Sequence, residues 1–407
     1  MDNHIFMCTA IACTVVAGAS PLSHAQSATF TPLGIPTGHL RSVVFDMSAD
    51  GDVVVGTARL PSNPFRRGFA WSNDHLQLLA APPGGPGDNG EAVTRVSADS
   101  LVIIGTDTHG RGIRWVDGVA ELSDPPGMND SGSAPSALSA DGSVVYARHF
   151  VYTNGLWQHL PSFDHVMDCT DDGNALVGIW APPSGGAFLA LQQPDGSIVI
   201  PQPMFAQPGT SISCRLSAGG EYLACSDHGT PRLWTIGEPG YTSIDFPLSL
   251  SYMTHIGGVS DDGEIIVGST WTNSEILFNL TGPPPAHPAL LWHAGHGTRS
   301  IENILRQLGL DIAGWRLLSA AACSRDGLSI AGTGMNPAGV LEGWHITLPG
   351  IPASPDFDHS LVLDVADIFA FLSAWFAGTP SADFNLDARI DVPDIFHFLQ
   401  FWFGRSL

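Results

Sequence analysis

Apolar residues along most of this chain fall in short strand-length runs set off by small polar turns, not in helical stripes. The phrase "MSADGDVVVGTA" at Met47 returns as "VSADSLVIIGTD" at Val96, "LSADGSVVYARH" at Leu138 and "CTDDGNALVGIW" at Cys169. It returns again as "LSAGGEYLACSD" at Leu216, "VSDDGEIIVGST" at Val259 and "CSRDGLSIAGTG" at Cys323, making seven copies. Each copy reads as a β-hairpin: a strand enters, Asp-Gly turns because the tight hairpin turn wants positive φ at both central residues, and an apolar strand leaves. A second signal ending in an aromatic follows most copies, at Trp71, Trp115, Trp157, Trp234, Trp292 and Trp344, and supplies a third and fourth strand. Four short strands repeated seven times predict an all-β, seven-bladed β-propeller. The serial alternative is an open β-solenoid, which tolerates any repeat number and favours shorter repeats. One stretch breaks the strand pattern: "RSIENILRQLGLDIAGW" places Ile301, Ile304, Leu305 and Leu308 at helical spacing and predicts one amphipathic helix packed on the propeller.

The last fifty residues change period. "VADIFAFLSAWF" and "VPDIFHFLQFWF" are amphipathic helices, and each follows an acidic loop in a unit repeated after 27 residues. Counted from Asp356 and Asp383, oxygen-bearing side chains fall at loop positions 1, 3, 5, 9 and 12. They are Asp356, Asp358, Ser360, Asp364 and Asp367, then Asp383, Asn385, Asp387, Asp391 and Asp394. That spacing wraps hard oxygen ligands around one Ca2+ ion, with the backbone carbonyls of Val362 and Arg389 at position 7. Asp364 and Asp391 stand at helix N-cap positions, and Pro393 suits a first turn. Position 6 usually carries Gly for the sharp bend, whereas this chain has Leu361 and Ala388 there, and Ser360 is a weak ligand; loop 2 is therefore the better ligand set. Eight aspartates against Arg389 and Arg405 predict that this segment is destabilised without a cation. Phe369, Leu372, Trp375 and Phe376 are expected to pack against Phe396, Leu399, Trp402 and Phe403.

Composition narrows the setting. A formal charge of −23 on 407 residues, with no lysine among the 16 basic residues, excludes a nucleic-acid binder that works by phosphate neutralisation. It also disfavours docking on anionic lipid. The apolar run from about Ile5 to Ala19, followed by Ser23-His24-Ala25, reads as a secretory signal spanning residues 1–25, although its n-region lacks Lys and Arg. A secreted or cell-surface protein with no membrane span after cleavage is therefore expected. Four cysteines remain, too few for a disulfide scaffold. Cys169 and Cys323 occupy the core-facing position held by Met47 or Val96 in other copies. Cys214 and Cys225 flank one turn symmetrically, so a cross-strand disulfide is possible between them in an oxidising compartment.

The repeated phrase resembles the extracellular HAF-repeat family, whose units run roughly S-A-D-G-x-x-V-V-G, a spacer, then A-F-x-W. The resemblance covers about residues 30–350 and implies architecture more than function; Thr170 for Ser and Gly219 for Asp are the chief departures. The spacing Ser-x-Asp-Gly before an aliphatic strand is not the Asp-box of sialidases. The doubled tail resembles the type I dockerin module, which implies calcium binding and docking to a cohesin-like partner or cell-envelope component, with polysaccharide a further ligand. The expected organisation is a propeller over 30–349, a Pro-rich linker over 350–355 and a tandem calcium-loop/helix module over 356–405.

No Gly-x-Ser-x-Gly, phosphate loop, dinucleotide fingerprint or His-Glu-x-x-His occurs. His287, His293 and His296 lie close in sequence but lack a carboxylate partner and read as solvated. The turn aspartates Asp50, Asp99, Asp141, Asp172, Asp262 and Asp326 recur because the turn needs them. A catalytic pair is expected to break the repeat, and no such break stands out. The sequence thus predicts an exported, non-enzymatic binding or display protein with a calcium-binding, docking tail. The competing readings are a polysaccharide-degrading enzyme carrying a dockerin, favoured by acidic residues on one propeller face, and a purely structural envelope protein.

Overall fold

The computed structural model describes residues 27–61, 66–82, 91–107, 109–125, 134–182, 186–201, 212–227, 230–244, 246, 254–270, 288–358, 363–385 and 389–404. Seven antiparallel four-stranded sheets account for the body. Their innermost strands are Arg41–Met47, Ala92–Val96, Pro135–Leu138, Phe163–Cys169, Ser213–Leu216, His255–Val259 and Arg316–Cys323. Each of the seven repeated phrases forms the turn between the first and second strands of one blade, so the predicted propeller and its blade number both hold.

The seventh blade shows how the ring closes. Its three inner strands come from Arg316 to Thr347, and its outermost strand is the N-terminal Thr29–Gly34, with Thr29 paired to Thr347. A ladder between the two ends of the propeller sequence removes the free edge that an open array would present.

The turn chemistry differs from the sequence expectation. In the first copy Gly51 N–H donates to Ser48 C=O (3.0 Å), so Ser-Ala-Asp-Gly is one i to i+3 turn with positive φ at the glycine alone (83°). Asp50 does not enter the left-handed region; its carboxylate accepts from Ser48 Oγ (2.6 Å) and Asp52 N–H (3.0 Å). Ser48 Oγ in turn accepts from Val53 N–H (2.9 Å). Serine and aspartate are thus a hydrogen-bond hub for the turn, which explains why the pair recurs. The two-residue turn with both φ positive lies instead between third and fourth strands, at Asn73-Asp74, Asp117-Gly118 and Asn154-Gly155.

Blades lean on one another through the same turns. A Cβ at Gly142 would collide with Val102 of the preceding blade, and one at Gly327 with Ile265. Third-strand tryptophans fill the blade interiors: Trp71, Trp115, Trp234, Trp292 and Trp344 are all buried. Trp157 departs from this pattern, standing on the fourth strand of its blade, half-exposed, across from Tyr152.

The predicted amphipathic helix is α1 (Ile301–Gln307), capped by Ser300, with Ile301, Ile304 and Leu305 fully buried in the core that blades six and seven share. The helices of the tail are α2 (Val365–Ala377) and α3 (Val392–Gly404). The segment joining them to the propeller is not a loose tether. Ile351 lies in the propeller core, Ala353 lies in the core of the tail, and both are buried. The buried Arg299 guanidinium donates to Pro352 C=O (2.5 Å), and Gln307 Nε2 donates to Ala353 C=O (2.9 Å).

Candidate functional site

The tail is built around a pseudo-two-fold relation that maps each residue onto one 27 positions later. Phe371 and Phe398 stack on one another at 4.2 Å with planes 3° apart, and Phe357 and Phe384 meet this pair edge-on from both sides. Trp375 Nε1 donates to Asp391 C=O (2.9 Å), and Trp402 Nε1 donates to Asp364 C=O (3.1 Å). Each helix thereby ties down the N-cap of the other.

This packing corrects the expected helix contact. Trp402 is buried, and Leu372, Trp375 and Leu399 are partly buried in the shared core. Phe369, Phe376, Phe396 and Phe403 instead face solvent, at 66–77 % exposure. Their spacing places them on the opposite side of each helix from Phe371 and Phe398, the stacked pair that the sequence pattern did not single out.

The two loops are organised by their twelfth residues. Asp367 is fully buried; its Oδ1 accepts from Phe357 N–H (2.8 Å) and Asp358 N–H (3.3 Å), and its Oδ2 accepts from Asp364 N–H (2.9 Å). Asp394 repeats the arrangement with Phe384 (2.8 Å), Asn385 (3.2 Å) and Asp391 (2.8 Å). Asp364 caps α2 through Ala366 N–H and forms a capping box with Asp367. In the first loop, one carboxylate oxygen from each of Asp356, Asp358 and Asp367 lies within 4.8 Å of the others. That spacing is tight enough for three oxygens to share one divalent ion. The described carboxylate cluster therefore sits in loop 1, the loop with the poorer set of side chains by sequence. Ser360, Val362 and Asp387 lie outside the described residues, as do His287, Leu361 and Ala388. Arg389 is exposed, and Asp391 Oδ1 is buried without a hydrogen-bond partner.

A second constellation lies on the propeller axis, and sequence reasoning missed it. One residue before each repeated phrase, the inner strands carry Asp46, Arg95, Ala137, Asp168, Arg215, Gly258 and Ala322 in blade order. The ladder slips at a bulge beside this position in six of the seven blades, all except the one carrying Arg215. Bulges re-aim side chains, and here they flank an axial cavity of ≈150 Å3 lined by Asp46, Arg95, Asp168 and Arg215. Asp46 Oδ2 accepts from Val96 N–H and Asp168 Oδ2 from Leu216 N–H, both at 3.0 Å, each reaching into the next blade. Arg95 donates to Ser136 C=O (3.1 Å) and Met167 C=O (3.4 Å); Arg215 donates to Gly257 and Cys214 C=O (both 2.9 Å). The signal was available: these four residues break the repeat at a single register position, adjoining the core-facing site rather than the turn.

Burial sets the electrostatics of the channel. It raises the Asp46 carboxyl above its ordinary range against the opposing pull of Arg95, and lowers Arg215 to about 10. His255 is pushed down to about 3 by burial and by the charges of Arg215 and Arg95. The Cys323 thiol is raised to about 12, and Cys169 is raised by burial too. Both thiols are free and line the channel wall, with Cys323 only partly buried. Cys214 and Cys225 pair directly across their hairpin and form a disulfide.

At one end of the channel the turns are tied to one another. Backbone hydrogen bonds run Asp99 to Ala140, Ala140 to Asp171, Asp171 to Ala218, Asp261 to Arg325 and Arg325 to Ala49, and Ala218 N–H donates to the Asp261 carboxylate. Six of the seven blade-to-blade steps are linked in this way. Arg325 of blade seven also forms an ion pair with Asp171 of blade four. Elsewhere, His293 and His296 stack at 4.5 Å, with His293 Nε2 4.0 Å from Glu264, and are not part of the axial site. Among the described residues, no helix is long and apolar enough to cross a membrane.

No protein-family model matches the chain, and none of the curated proteins does. Solved structures with a similar fold include an oligogalacturonate lyase in complex with manganese (12 % identity, TM-score 0.48), with 79 % of this chain and 93 % of that one covered. The oligogalacturonate lyase of Vibrio parahaemolyticus matches at 9 % identity and TM-score 0.48, with 79 % and 97 % covered. TolB from Acinetobacter baumannii matches at 10 % identity and TM-score 0.36, with 73 % and 63 % covered. At these values the likeness extends to the fold alone and assigns no reaction. The expectation of a non-enzymatic protein is not upheld; solved structures with this fold include proteins named as lyases. The missing catalytic motif was not evidence against catalysis, since propeller residues converge from separate blades and leave no local signature.

Proposed function

We propose that the C-terminal pair of loop-helix units is a calcium-binding module that docks an exported propeller to a cohesin-like protein or a cell-envelope component. The observation that carries this reading is the gathering of Asp356, Asp358 and Asp367 oxygens within 4.8 Å, on a scaffold whose second half repeats the same hydrogen bonds around Asp394. Side-chain and carbonyl oxygens at the ligand positions of both loops, with His359 at a position between them, select a hard ion, and flexible oxygen-rich loops suit Ca2+ better than the stricter octahedron of Mg2+. The resemblance of the doubled tail to type I dockerins supports the same assignment, and the HAF-repeat resemblance supports export. The Cys214–Cys225 disulfide is compatible with an oxidising compartment.

The module's own residues would do the following. Asp356, Asp358 and Asp367 would hold one ion, joined by Ser360 and the Val362 carbonyl; Asp383, Asn385, Asp387 and Asp394 would hold the second with the Arg389 carbonyl. Asp364 and Asp391 would fix the helix starts so that each twelfth residue stays under its loop. Isothermal titration of the mature chain with CaCl2 tests this. Two ions per chain are expected, falling to one with Asp358→Asn or with Asp383→Ala. No heat beyond dilution, or a stoichiometry that neither variant changes, would remove the metal assignment.

A further inference from the structure

Two arginines and two aspartates in the axial channel are placed as no structural network requires. Asp46, Arg95, Asp168 and Arg215 stand at one register position, yet among the described residues none forms an ion pair with another. Backbone groups fix one edge of each side chain. Arg95 uses Nε and Nη2 and leaves Nη1 without a protein acceptor; Arg215 uses Nε and Nη1 and leaves Nη2 without one. Neither nitrogen is among the fully buried unpaired atoms, so each opens onto the channel and is available to a ligand. The remaining positions of the ring, Ala137, Gly258 and Ala322, are small, so the space is kept open rather than filled.

From this geometry we infer that the axial channel is a binding site for a small carboxylate that carries hydrogen-bond donors at its other end. The ligand carboxylate sits on the free edges of Arg95 and Arg215, and its donors reach Asp46 and Asp168. A plain anion leaves the aspartates facing each other unsatisfied, and a plain cation does the same to the arginines. The ≈150 Å3 volume holds about five waters at ~30 Å3 each, or one molecule of the size of an amino acid or a single sugar acid. Water fills the site when no ligand is present, and its release contributes to binding. Two sources share this chemistry: ammonium donors of an α-amino acid, and hydroxyl donors of a uronic acid.

Calorimetric titration of the full mature chain with D-glucuronate and L-alanine, against propionate and D-glucose as half-ligands, tests the inference. One of the first two compounds should bind at one site per chain, at least tenfold tighter than either half-ligand; which one binds identifies the donor. Arg95→Met and Arg215→Met should each weaken that binding by tenfold or more, while Phe376→Ser at an exposed position of the tail should leave it unchanged. Binding of none of the four compounds, or equal binding of propionate, overturns the site. If the arginine variants do not fold, a crystal of the wild-type chain grown with the bound compound decides: density in the axial channel supports the site, and density elsewhere overturns it.

Discussion

The propeller and the tail are both built by repetition, but repetition has opposite meanings in them. In the tail, the positions that recur are the chemistry: Asp367 and Asp394 organise two equivalent loops, and Phe371 and Phe398 form the stack between them. In the propeller, the recurring Ser-x-Asp-Gly is architecture, a turn that closes on itself and rests on its neighbour. The residues with chemical potential are those that depart from the repeat, Asp46, Arg95, Asp168 and Arg215. A two-fold unit needs both halves to bury one core, so function and fold share residues. A seven-fold ring has copies to spare, so function can be confined to a few of them.

The largest expected effect lies at the axis of the tail. Phe371→Ala or Phe398→Ala removes half of a fully buried stack and should cost roughly 3–5 kcal/mol, enough to unfold a module of this size. Hydrogen exchange should show lost protection in α2 and α3 with the blades still protected. Loss of protection throughout would mean that tail and propeller unfold as one body, with the buried strap at Ile351 and Ala353 as the cause.

The disulfide offers a smaller contrast within the propeller. Cys214→Ala with Cys225→Ala removes a crosslink across an 11-residue separation and should lower propeller stability by about 2–3 kcal/mol in denaturant titration. The tail should be unaffected by that change. In Arg299→Met, by contrast, the strap loses the guanidinium that holds the Pro352 carbonyl. The two regions should then melt further apart in calorimetry without loss of secondary structure.

Acid distinguishes the turns from the rest. Hydrogen bonds from Ser143 hold Asp141 below the usual carboxylate range, and the Thr170 hydroxyl with Asn174 does the same for Asp172. A folded-state pKa below the unfolded one gives stability that is complete above the unfolded value near 4 and is lost as pH falls through the folded values. Stability measured by urea titration should therefore drop below about pH 4, with a shallower slope in Asp141→Asn. The smallest effect belongs to the second copy, where Ser100 occupies the left-handed position that glycine fills elsewhere (φ 67°). Ser100→Gly should stabilise by about 0.5–1 kcal/mol, a gain limited by the greater freedom of glycine in the unfolded chain.

Much of the fold was legible because period and turn residues survive in seven copies. Blade number, the α1 helix, the N-cap at Asp364 and the opposed cysteines all follow from local pattern. Ring closure was not legible, since Thr29–Gly34 carries no phrase and joins blade seven only by long-range pairing. The type of turn was also hidden: Asp-Gly fits a two-residue hairpin equally well until the Ser48 hydroxyl is seen to accept from Val53 N–H. In the tail, alternation of aromatics identified helices but not which face is inward, because both faces of α2 and α3 are apolar. The axial ring escaped because its residues are one per blade, far apart in sequence, and meaningful only once a closed circle brings them together.

The central claim, that the tail is a calcium module, is tested most directly by calorimetric unfolding of the full chain in CaCl2 and in chelator. At a free calcium concentration 100-fold above the dissociation constant, the account predicts that the tail gains about 2.7 kcal/mol per occupied loop. The gain should be halved in Asp358→Asn. Unfolding that is identical with calcium and with chelator would contradict the account, leaving the tail a helical pair held by its stacked phenylalanines alone.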